Sequence, residues 1–349
     1  MGVWEVARER MEWLDSLRGL AMLLVIVGHV RAVKASGPLV TVIYAFHMPL
    51  FFMISGATFR VGRYASLAEC ALDKARKLLV PYVLLYVVNL PLWYLANRVL
   101  YYHPVELSQL LVGFFTANHR IGTMSQAALW FLPTLFTVSV LYWWLADLAR
   151  RGRLPLPASM SALLVVGILL SVFYRQQAVW HLTTVPIATV FYWLGHEFMR
   201  HRAGIVHWLG ADGQPRKYAA WALVLLAVGV TAALANDKVS LHRNYYGNFA
   251  LMFVAALSLS LAVTMVLMKL PTFAPLAYAG CNSLSFLGFH FPLVQYLERI
   301  PATAAFASAH GVLTGLIVFV LLFPLTALVN RFCPWLVGRG ARPRARTAP

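Results

Sequence analysis

The segment LDSLRGLAMLLVIVGHV, residues 14–30, decides the fold class. It is long and apolar enough for a helix that crosses a lipid bilayer, which needs about 17–25 residues. It also contains three ionisable side chains, those of Asp15, Arg18 and His29. Ionisable groups at membrane depth are energetically unfavourable and mark functional sites by default. The segment therefore predicts both a membrane helix and a candidate site on that helix.

The composition extends this prediction to the whole chain. Of the 349 residues, 60% are hydrophobic and only 12% are charged, and the mean hydropathy is +0.70. Soluble domains carry about 25% charged residues, so the apolar excess of this chain must face lipid. We therefore predict an all-α polytopic membrane protein. Basic residues precede the first apolar segment and small residues follow it, as in a cleaved signal peptide, but its ionisable residues favour a segment that is retained.

About ten transmembrane helices are predicted, with both termini on one side. The apolar stretches fall near residues 14–33, 39–59, 78–98, 127–147, 158–174, 183–199, 218–235, 248–268, 276–297 and 309–330. Of the 29 Lys and Arg residues, 20 lie on the side of the termini and 8 on the other side, which by the positive-inside rule makes both termini cytoplasmic. This topology accounts for most of the net charge of +17, so nucleic acid is not expected as a partner. The expected organisation is a cytoplasmic N-terminus (1–13), a transmembrane domain (14–330) and a basic, disordered cytoplasmic tail (331–349).

Arg18 and His29 are predicted to share one face of the first helix. They are 11 residues apart, which corresponds to about 20° in azimuth and roughly 16 Å in height along an α-helix. Asp15 lies three residues before Arg18, a spacing that allows an ion pair. The alternative is an interfacial arginine that snorkels and a histidine that is hydrogen-bonded to a neighbouring helix.

Further polar residues lie in or beside the other predicted spans. His47 occurs in YAFHMPLFFMISGATFR (44–60), Trp130 in LWFLPTLF (129–136), and Asn282, Ser283 and His290 in GCNSLSFLGFHFPL (280–293). We expect these five residues to line a substrate site, although packing is the alternative for each. The basic residues Lys74, Arg76 and Lys77 precede LLVPY (78–82), where they either serve topology alone or bind a phosphate at a helix start.

The sequence lacks acidic residues at mid-membrane and several common catalytic and metal-binding motifs. All 12 acidic residues fall at helix ends or in loops, whereas proton-coupled carriers usually keep a carboxylate at mid-membrane. No GxSxG, HExxH or Walker motif occurs. The three cysteines are too scattered for a disulfide framework or a CxxC metal site, so no metal is expected.

These motifs together resemble the membrane acyltransferase-3 family. The resemblance rests on LDSLRG followed by GH, on FHMPLFFMISG, on the basic residues before LLVPY, on LWFLPTLF and on GCNSLSFLGFHFPL. It covers about residues 13–330. The FHMPLFF version is most similar to the branch of fucose 4-O-acetylase-like and nodulation-factor acetyltransferases.

The resemblance implies a multi-pass enzyme of the bacterial cytoplasmic (inner) membrane. Such an enzyme transfers an acyl group, usually acetyl from cytoplasmic acetyl-CoA, to a hydroxyl of a cell-surface glycan or of its lipid-linked precursor. The expected partners are therefore the lipid bilayer, acetyl-CoA as co-substrate, and a glycan or glycolipid acceptor. The Arg and His of the family's first helix correspond to Arg18 and His29. The basic element near the family's third helix, of RxxR type in some members, is represented here by Lys74, Arg76 and Lys77.

A mechanism follows from these residues. The basic residues would hold the phosphates of CoA, whose pantetheine arm is comparable in length to the separation of Arg18 and His29. His29 would act as general base towards the acceptor hydroxyl or would accept the acyl group itself, and Asp15 would orient Arg18. His47 and His290 would line the acceptor side or polarise the thioester carbonyl. The rival hypothesis is a transporter or flippase of a lipid-linked glycan, and a membrane scaffold or sensor is the third.

Overall fold

A computed structural model describes residues 11–96, 106–174 and 178–339, and within these ranges the protein is all-helical. Residues 1–10, 97–105, 175–177 and 340–349 lie outside the described residues, and with them most of the predicted cytoplasmic N-terminus and the end of the predicted tail. The helices are α1 (Glu12–His29), α2 (Arg31–Ala35), α3 (Gly37–Ala57), α4 (Leu67–Lys74), α5 (Val80–Ala96), α6 (Leu107–Thr116), α7 (Phe131–Arg150), α8 (Leu156–Phe173), α9 (Val185–Trp208), α10 (Pro215–Leu234), α11 (Phe249–Lys269), α12 (Ala274–Cys281), α13 (Ser283–Leu297), α14 (Pro301–Ala309) and α15 (Gly311–Phe332).

Each of the ten predicted segments contains helix, and seven helices in the described ranges are long and apolar enough to cross a membrane. These seven are Gly37–Ala57, Leu67–Leu95, Ala127–Arg150, Leu156–Phe173, Pro215–Leu234, Phe249–Lys269 and Gly311–Phe332. The multi-pass membrane fold is therefore supported, whereas the count of ten spans stays a prediction. The third segment begins earlier than predicted, because α4 and α5 are joined by a π-helical turn at Ala75–Leu79. The ninth is interrupted at Asn282, where α12 ends and α13 begins.

The helices differ in how much of their surface is covered by protein. In α7 and the turn before it, 72% of the most apolar stretch is buried, but in α8 the share is 17% and in α10 it is 22%. Side chains such as Val165, Leu169 and Phe173 on α8 are large, apolar and exposed. An apolar exposed surface is stable only against lipid or another protein, so α8 and α10 form the periphery and α7 belongs to the centre.

Close helix contacts fix the position of α1. A Cβ atom on Gly19 would overlap the carbonyl oxygen of Leu276, and a Cβ atom on Gly280 would overlap that of Asp15. Only glycine permits the two backbones to approach this closely, as is common between membrane helices. The contact holds α12 against the part of α1 that contains Arg18.

The segment after α15 packs against the helices as far as residue 339, and the rest of the predicted tail lies outside the described residues. Residues 334–337 form a 3₁₀ turn in which Leu336 and Val337 are buried. The Arg339 guanidinium donates hydrogen bonds to Asn330 Oδ1 at 3.0 Å and to the carbonyl oxygen of Cys281 at 2.8 Å. The burial of Leu336 and Val337 and the hydrogen bonds of Arg339 hold this segment against the helices. The two apolar residues are easily overlooked in a tail whose composition is mainly basic.

Candidate functional site

Three cavities lie in series along α1. The Arg18 cavity has a volume of about 740 Å³ and is lined by Asp15, Arg18, Arg60, Arg63, His196 and Arg200, among others. The His29 cavity, of about 650 Å³, is lined by His29, Lys34, His47, Arg120, Lys238 and Arg243, among others. A narrower connecting channel of about 150 Å³ shares Arg18 with the first cavity and shares His29, Met48, Ala128 and Trp130 with the second. The path therefore has two wide ends and a constricted middle.

One face of α1 forms a wall of the connecting channel. Arg18, Met22, Val25 and His29 line it, and their spacing of three or four residues is that of a single helix face. Because α1 is continuous from Glu12 to His29, the ends of this row are separated by roughly 16 Å along the axis. The geometry is the one that the spacing of Arg18 and His29 predicts.

Mostly apolar side chains form the other walls of the channel. Phe51 of α3, Leu132 and Leu135 of α7, and Leu284 and Leu287 of α13 line it. The hydroxyl-bearing residues of the lining are Ser55 and Ser283. A long, thin and largely uncharged group therefore suits this passage better than a sugar or an inorganic ion.

His29 presents one unprotonated ring nitrogen. Its Nδ1 lies 2.7 Å from the carbonyl oxygen of Val25, and because a carbonyl only accepts, Nδ1 is the atom that carries the proton. Nε2 is then left with a lone pair, which is the form of imidazole that accepts a proton. His47 makes the equivalent hydrogen bond to Ile43 at 2.7 Å, and it lines the same cavity.

His290 packs against His29 and lines none of the three cavities. Its side chain is fully buried, and its ring packs edge-on against the ring of His29 with a centroid distance of 5.1 Å. Phe291 packs against His29 at 5.5 Å and an angle of 87°. The expectation that His290 lines the substrate site thus differs from the structure, in which His290 and Phe291 fix the orientation of the His29 ring.

The Arg18 cavity collects positive charge. Asp15 and Arg18 form the predicted ion pair, with Arg18 Nη1 3.6 Å from Asp15 Oδ1. Arg60, Arg63 and Arg200 line the same cavity. Guanidinium groups are suited to phosphate, which they bind in a bidentate manner.

The predicted basic run contributes less to this cavity than expected. Lys77 Nζ lies 2.7 Å from Asp73 Oδ1, one helical turn earlier, and Arg76 is exposed. Neither residue lines any of the three cavities. Lys74 is closer, since its Nζ lies 4.8 Å from the ring centroid of Phe59, a residue of the Arg18 cavity. The carboxylate of Asp73 pairs with Lys77 and also lies 3.8 Å from Arg63 Nη2, so what separates the two residues is that Arg63 lines the Arg18 cavity and Lys77 does not.

The remaining predicted residues separate into two groups. Trp130 lines both the connecting channel and the His29 cavity, and Ser283 lines the channel. Asn282 instead has a structural role: its side chain donates to the carbonyl oxygen of Tyr278 at 2.7 Å and accepts from Asn330 Nδ2 at 2.7 Å. These hydrogen bonds stabilise the break between α12 and α13, and Asn282 lines none of the three cavities.

The sequence analysis missed a group of histidines beside the His29 cavity. The His119 and His242 ring centroids are 5.5 Å apart, and the Trp130 ring lies 4.8 Å from that of His181. Burial lowers the pKa of His119 and of His181 to about 4 and lowers the pKa of His242 well below its usual value. All three are therefore neutral at pH 7. The His-Arg dipeptide occurs at 119–120 and 242–243 beside the cavity, but it also occurs at 201–202 in α9, so it was not by itself a usable signal.

Comparison with known proteins adds one finding to this geometry. A family model described as an acyltransferase domain, that of the acyltransferase-3 family, matches residues 11–331. No curated protein matches the chain. The matched region contains the residues that line all three cavities. Leu336, Val337 and Arg339, which follow α15, lie beyond it.

Proposed function

The chain belongs to the acyltransferase-3 family, and from this premise we propose that it is a membrane-bound O-acyltransferase that uses acetyl-CoA. The acceptor is a hydroxyl of a cell-surface glycan or of its lipid-linked precursor, as in the branch of fucose 4-O-acetylase-like and nodulation-factor acetyltransferases. Family membership supports acyl transfer in a membrane. The cavities along α1 support the choice of donor and acceptor.

The observation that carries the proposal is the series of cavities along α1. Acetyl-CoA is a polyanion at one end and a thioester at the other, joined by a thin pantetheine arm. The Arg18 cavity offers guanidinium groups for the phosphates, the apolar channel is suited to the arm, and His29 lies roughly 16 Å further along α1. The acetyl group would therefore emerge beside His29.

The phosphate site in this proposal consists of Arg18, Arg60, Arg63 and Arg200, with Lys74 at its edge. Arg76 and Lys77, which the sequence suggested for this role, stay outside it. Asp15 contributes by its ion pair, which holds the Arg18 guanidinium at the junction of cavity and channel. This junction is where the pyrophosphate would meet the arm.

The chemistry assigned to His29 is that of a general base. Nε2 takes the proton of the acceptor hydroxyl while the hydroxyl oxygen attacks the thioester carbonyl carbon. The carbon–oxygen bond forms, the carbon–sulfur bond breaks, and the leaving CoA sulfur receives the proton from the imidazolium. His29 is then neutral again, and the products are the ester and CoA with a free thiol. In the alternative, Nε2 attacks first and an acetyl-imidazole is the intermediate.

Trp130 and His47 are assigned to the acceptor side. Trp130 stands where the channel opens into the His29 cavity, and an indole at this place can stack on the apolar face of a sugar. In the proposed orientation the Arg18 cavity is cytoplasmic, together with both termini, and the His29 cavity faces outward from a bacterial inner membrane. The charge count of the loops supports this orientation.

The experiment that tests the proposal uses membranes that contain the protein. Acetyl-CoA labelled in the acetyl group is added from the cytoplasmic side, and the surface carbohydrate is analysed for ester-linked label. We expect label that mild alkali removes, and none in membranes without the protein. A transporter of a lipid-linked glycan would instead move unmodified glycan across the membrane with no label transferred, and that result would contradict the proposal.

A further inference from the structure

Four cations converge on the His29 cavity. Lys34 is contributed by α2, Arg120 by the segment between α6 and α7, and Lys238 and Arg243 by the segment between α10 and α11. No Asp or Glu is among the residues that line this cavity. The cavity therefore has a strongly positive lining although it also contains the neutral imidazole of His29.

None of these four cations has an acidic partner within ion-pair distance among the described residues. Two acids border this group: Glu298, whose charge acts on Lys34, and Asp237, the neighbour of Lys238 in sequence. Glu298 accepts a hydrogen bond from the backbone N–H of Arg31 and lies 3.8 Å from the Arg31 guanidinium. Asp237 is exposed and accepts a hydrogen bond from Tyr245 at 2.8 Å. Lys238 Nζ instead lies 4.9 Å from the ring centroid of Tyr44.

Because they lack acidic partners, the cations of the His29 cavity repel one another. Burial lowers the pKa of Lys34, and the charges of Lys238 and Arg243 lower it further, although Glu298 acts in the opposite direction. Burial and the charge of Arg243 also lower the pKa of Lys238. Arg243 thus lies within electrostatic range of both lysines. A bound anion would relieve this repulsion.

The membrane topology does not explain why these four cations lie at one cavity. By the positive-inside rule the outer side is poor in Lys and Arg, and only 8 of the 29 are assigned to it from the sequence. Four of those eight line this one cavity. A scattered set of anchoring charges would not converge in this way from three separate connections.

The backbone around the cavity is strained as well. Ala117, Trp180, His181 and Asn244 are the four residues other than glycine with positive φ in the described ranges, at 50–52°. Asn244 directly follows Arg243, Trp180 precedes His181, which packs on Trp130, and Ala117 lies two residues before His119. Such conformations are unfavourable by about 1–3 kcal/mol each and are retained at functional sites. Here they hold the connections that carry Arg120 and Arg243.

We infer that the acceptor is an anionic glycan, whose negative group is bound by Lys34, Arg120, Lys238 and Arg243 while its hydroxyl faces His29. The inference rests on the proposed function, since it names the substrate class of the same site. The negative group is either the carboxylate of an acidic sugar or a phosphate that links the sugar to a lipid. Both are oxygen anions, and Lys and Arg bind both.

The experiment measures binding by the purified protein in detergent, without acetyl-CoA, by isothermal titration. The probes are a glucuronate-containing oligosaccharide, a prenyl-phosphate-linked hexose and the neutral oligosaccharide that matches the first. We expect at least one of the two anionic probes to bind more tightly than the neutral probe, by about tenfold or more. This difference should shrink as salt is added, because salt screens charges that are exposed to solvent. Preference for the glucuronate probe identifies an acidic sugar, and preference for the phosphate probe identifies a phosphate-linked one.

A matched pair of double variants identifies the residues. Lys238→Gln with Arg243→Gln should abolish the preference for the anionic probe. Arg216→Gln with Lys217→Gln removes the same charge from exposed positions at the start of α10 and should leave the preference intact. Equal binding of all three probes, or an anion preference that survives the first double variant, would overturn the inference.

The two proposals fail in different ways. If acetyl is transferred equally to neutral and anionic acceptors and Lys238→Gln with Arg243→Gln leaves KM unchanged, the anion site is wrong and the acyltransferase stands. If no acceptor receives acetyl but the anionic probe binds through these residues, the anion site stands and the acyltransferase is wrong. If both stand, the first double variant raises KM for the anionic acceptor about tenfold or more, whereas Arg216→Gln with Lys217→Gln does not.

Discussion

Replacement of His29 by glutamine removes the basic Nε2 together with the ring that packs against His290 and Phe291. The His29 ring donates from Nδ1 to the carbonyl oxygen of Val25, and the glutamine amide can donate to the same oxygen. What glutamine lacks is the lone pair of Nε2. The variant His29→Gln therefore removes the base while it keeps a hydrogen-bond donor for the carbonyl oxygen of Val25.

The expected loss follows from that single atom. General-base catalysis contributes about 10²–10⁴-fold, which corresponds to roughly 3–5 kcal/mol of the activation free energy. We expect kcat for acetyl transfer to fall by this factor. The Kd for CoA should change less than about threefold, because the proposed phosphate site lies roughly 16 Å away along α1 and neither the neutral imidazole nor the glutamine amide carries a charge.

The assay measures initial rates of label transfer by purified protein in lipid nanodiscs, together with CoA binding by titration. His310→Gln is the matched control, since His310 packs against Phe306 at the start of α15 and lines none of the three cavities. A kcat for His29→Gln within threefold of the unaltered protein would refute the assignment of His29 as the base. Acid quench during turnover decides between the two mechanisms, because only the acetyl-imidazole mechanism leaves label on the protein.

Three further predictions concern the donor site, the helix packing and the pH dependence. Arg60→Gln should raise KM for acetyl-CoA about tenfold, as expected for the loss of a charge-assisted hydrogen bond. Lys77→Gln should leave KM within twofold, because Lys77 is exposed and lines none of the three cavities. Equal effects of the two variants in initial-rate assays would contradict the revised donor site. Gly280→Ala should lower the midpoint of thermal unfolding in detergent, since its Cβ overlaps the carbonyl oxygen of Asp15, while Gly204→Ala, whose Cβ meets open space, should not. The pKa of His181 is about 4 in the folded state and about 6.5 in an unfolded chain, so the unfolded state binds more protons between these values and stability should fall as pH drops from 6.5 to 4. His181→Gln should make the midpoint less dependent on pH in that window, and an unchanged dependence would argue against a neutral buried His181.

The sequence predicted the parts of the site that lie within one helix. Arg18 and His29 are brought to one channel by α1 alone, so helical periodicity was sufficient. The ion pair of Asp15 with Arg18 is equally local. Nothing from a distant part of the chain was needed to place these three side chains.

Residues whose partners are far away in sequence were predicted less well. Asn282 was expected at the substrate, but Asn330, 48 residues later, holds its amide oxygen. His290 was expected in the cavity, but the packing of α13 against α1 places it behind His29. The four cations of the His29 cavity come from three connections, and their convergence could not be read from local spacing.

Local information was also overlooked in one instance. Asp73 precedes Lys77 by four residues, a spacing at which opposite charges pair on a helix. This pairing was visible in the sequence and argued against Lys77 as a phosphate ligand. In the proposed phosphate site, Arg60 and Arg63 take the place of Lys77. They follow the end of α3 and line the Arg18 cavity, which the sequence near them does not indicate.

The central claim is that one substrate spans the membrane path from the Arg18 cavity to His29. The most direct measurement is a cryo-EM structure with a thioether analogue of acetyl-CoA, which cannot transfer its acyl group. We expect phosphate density among Arg18, Arg60, Arg63 and Arg200, the arm in the connecting channel and the sulfur beside His29 Nε2. Density for the nucleotide in the His29 cavity, or an empty channel in a protein that binds the analogue, would contradict it.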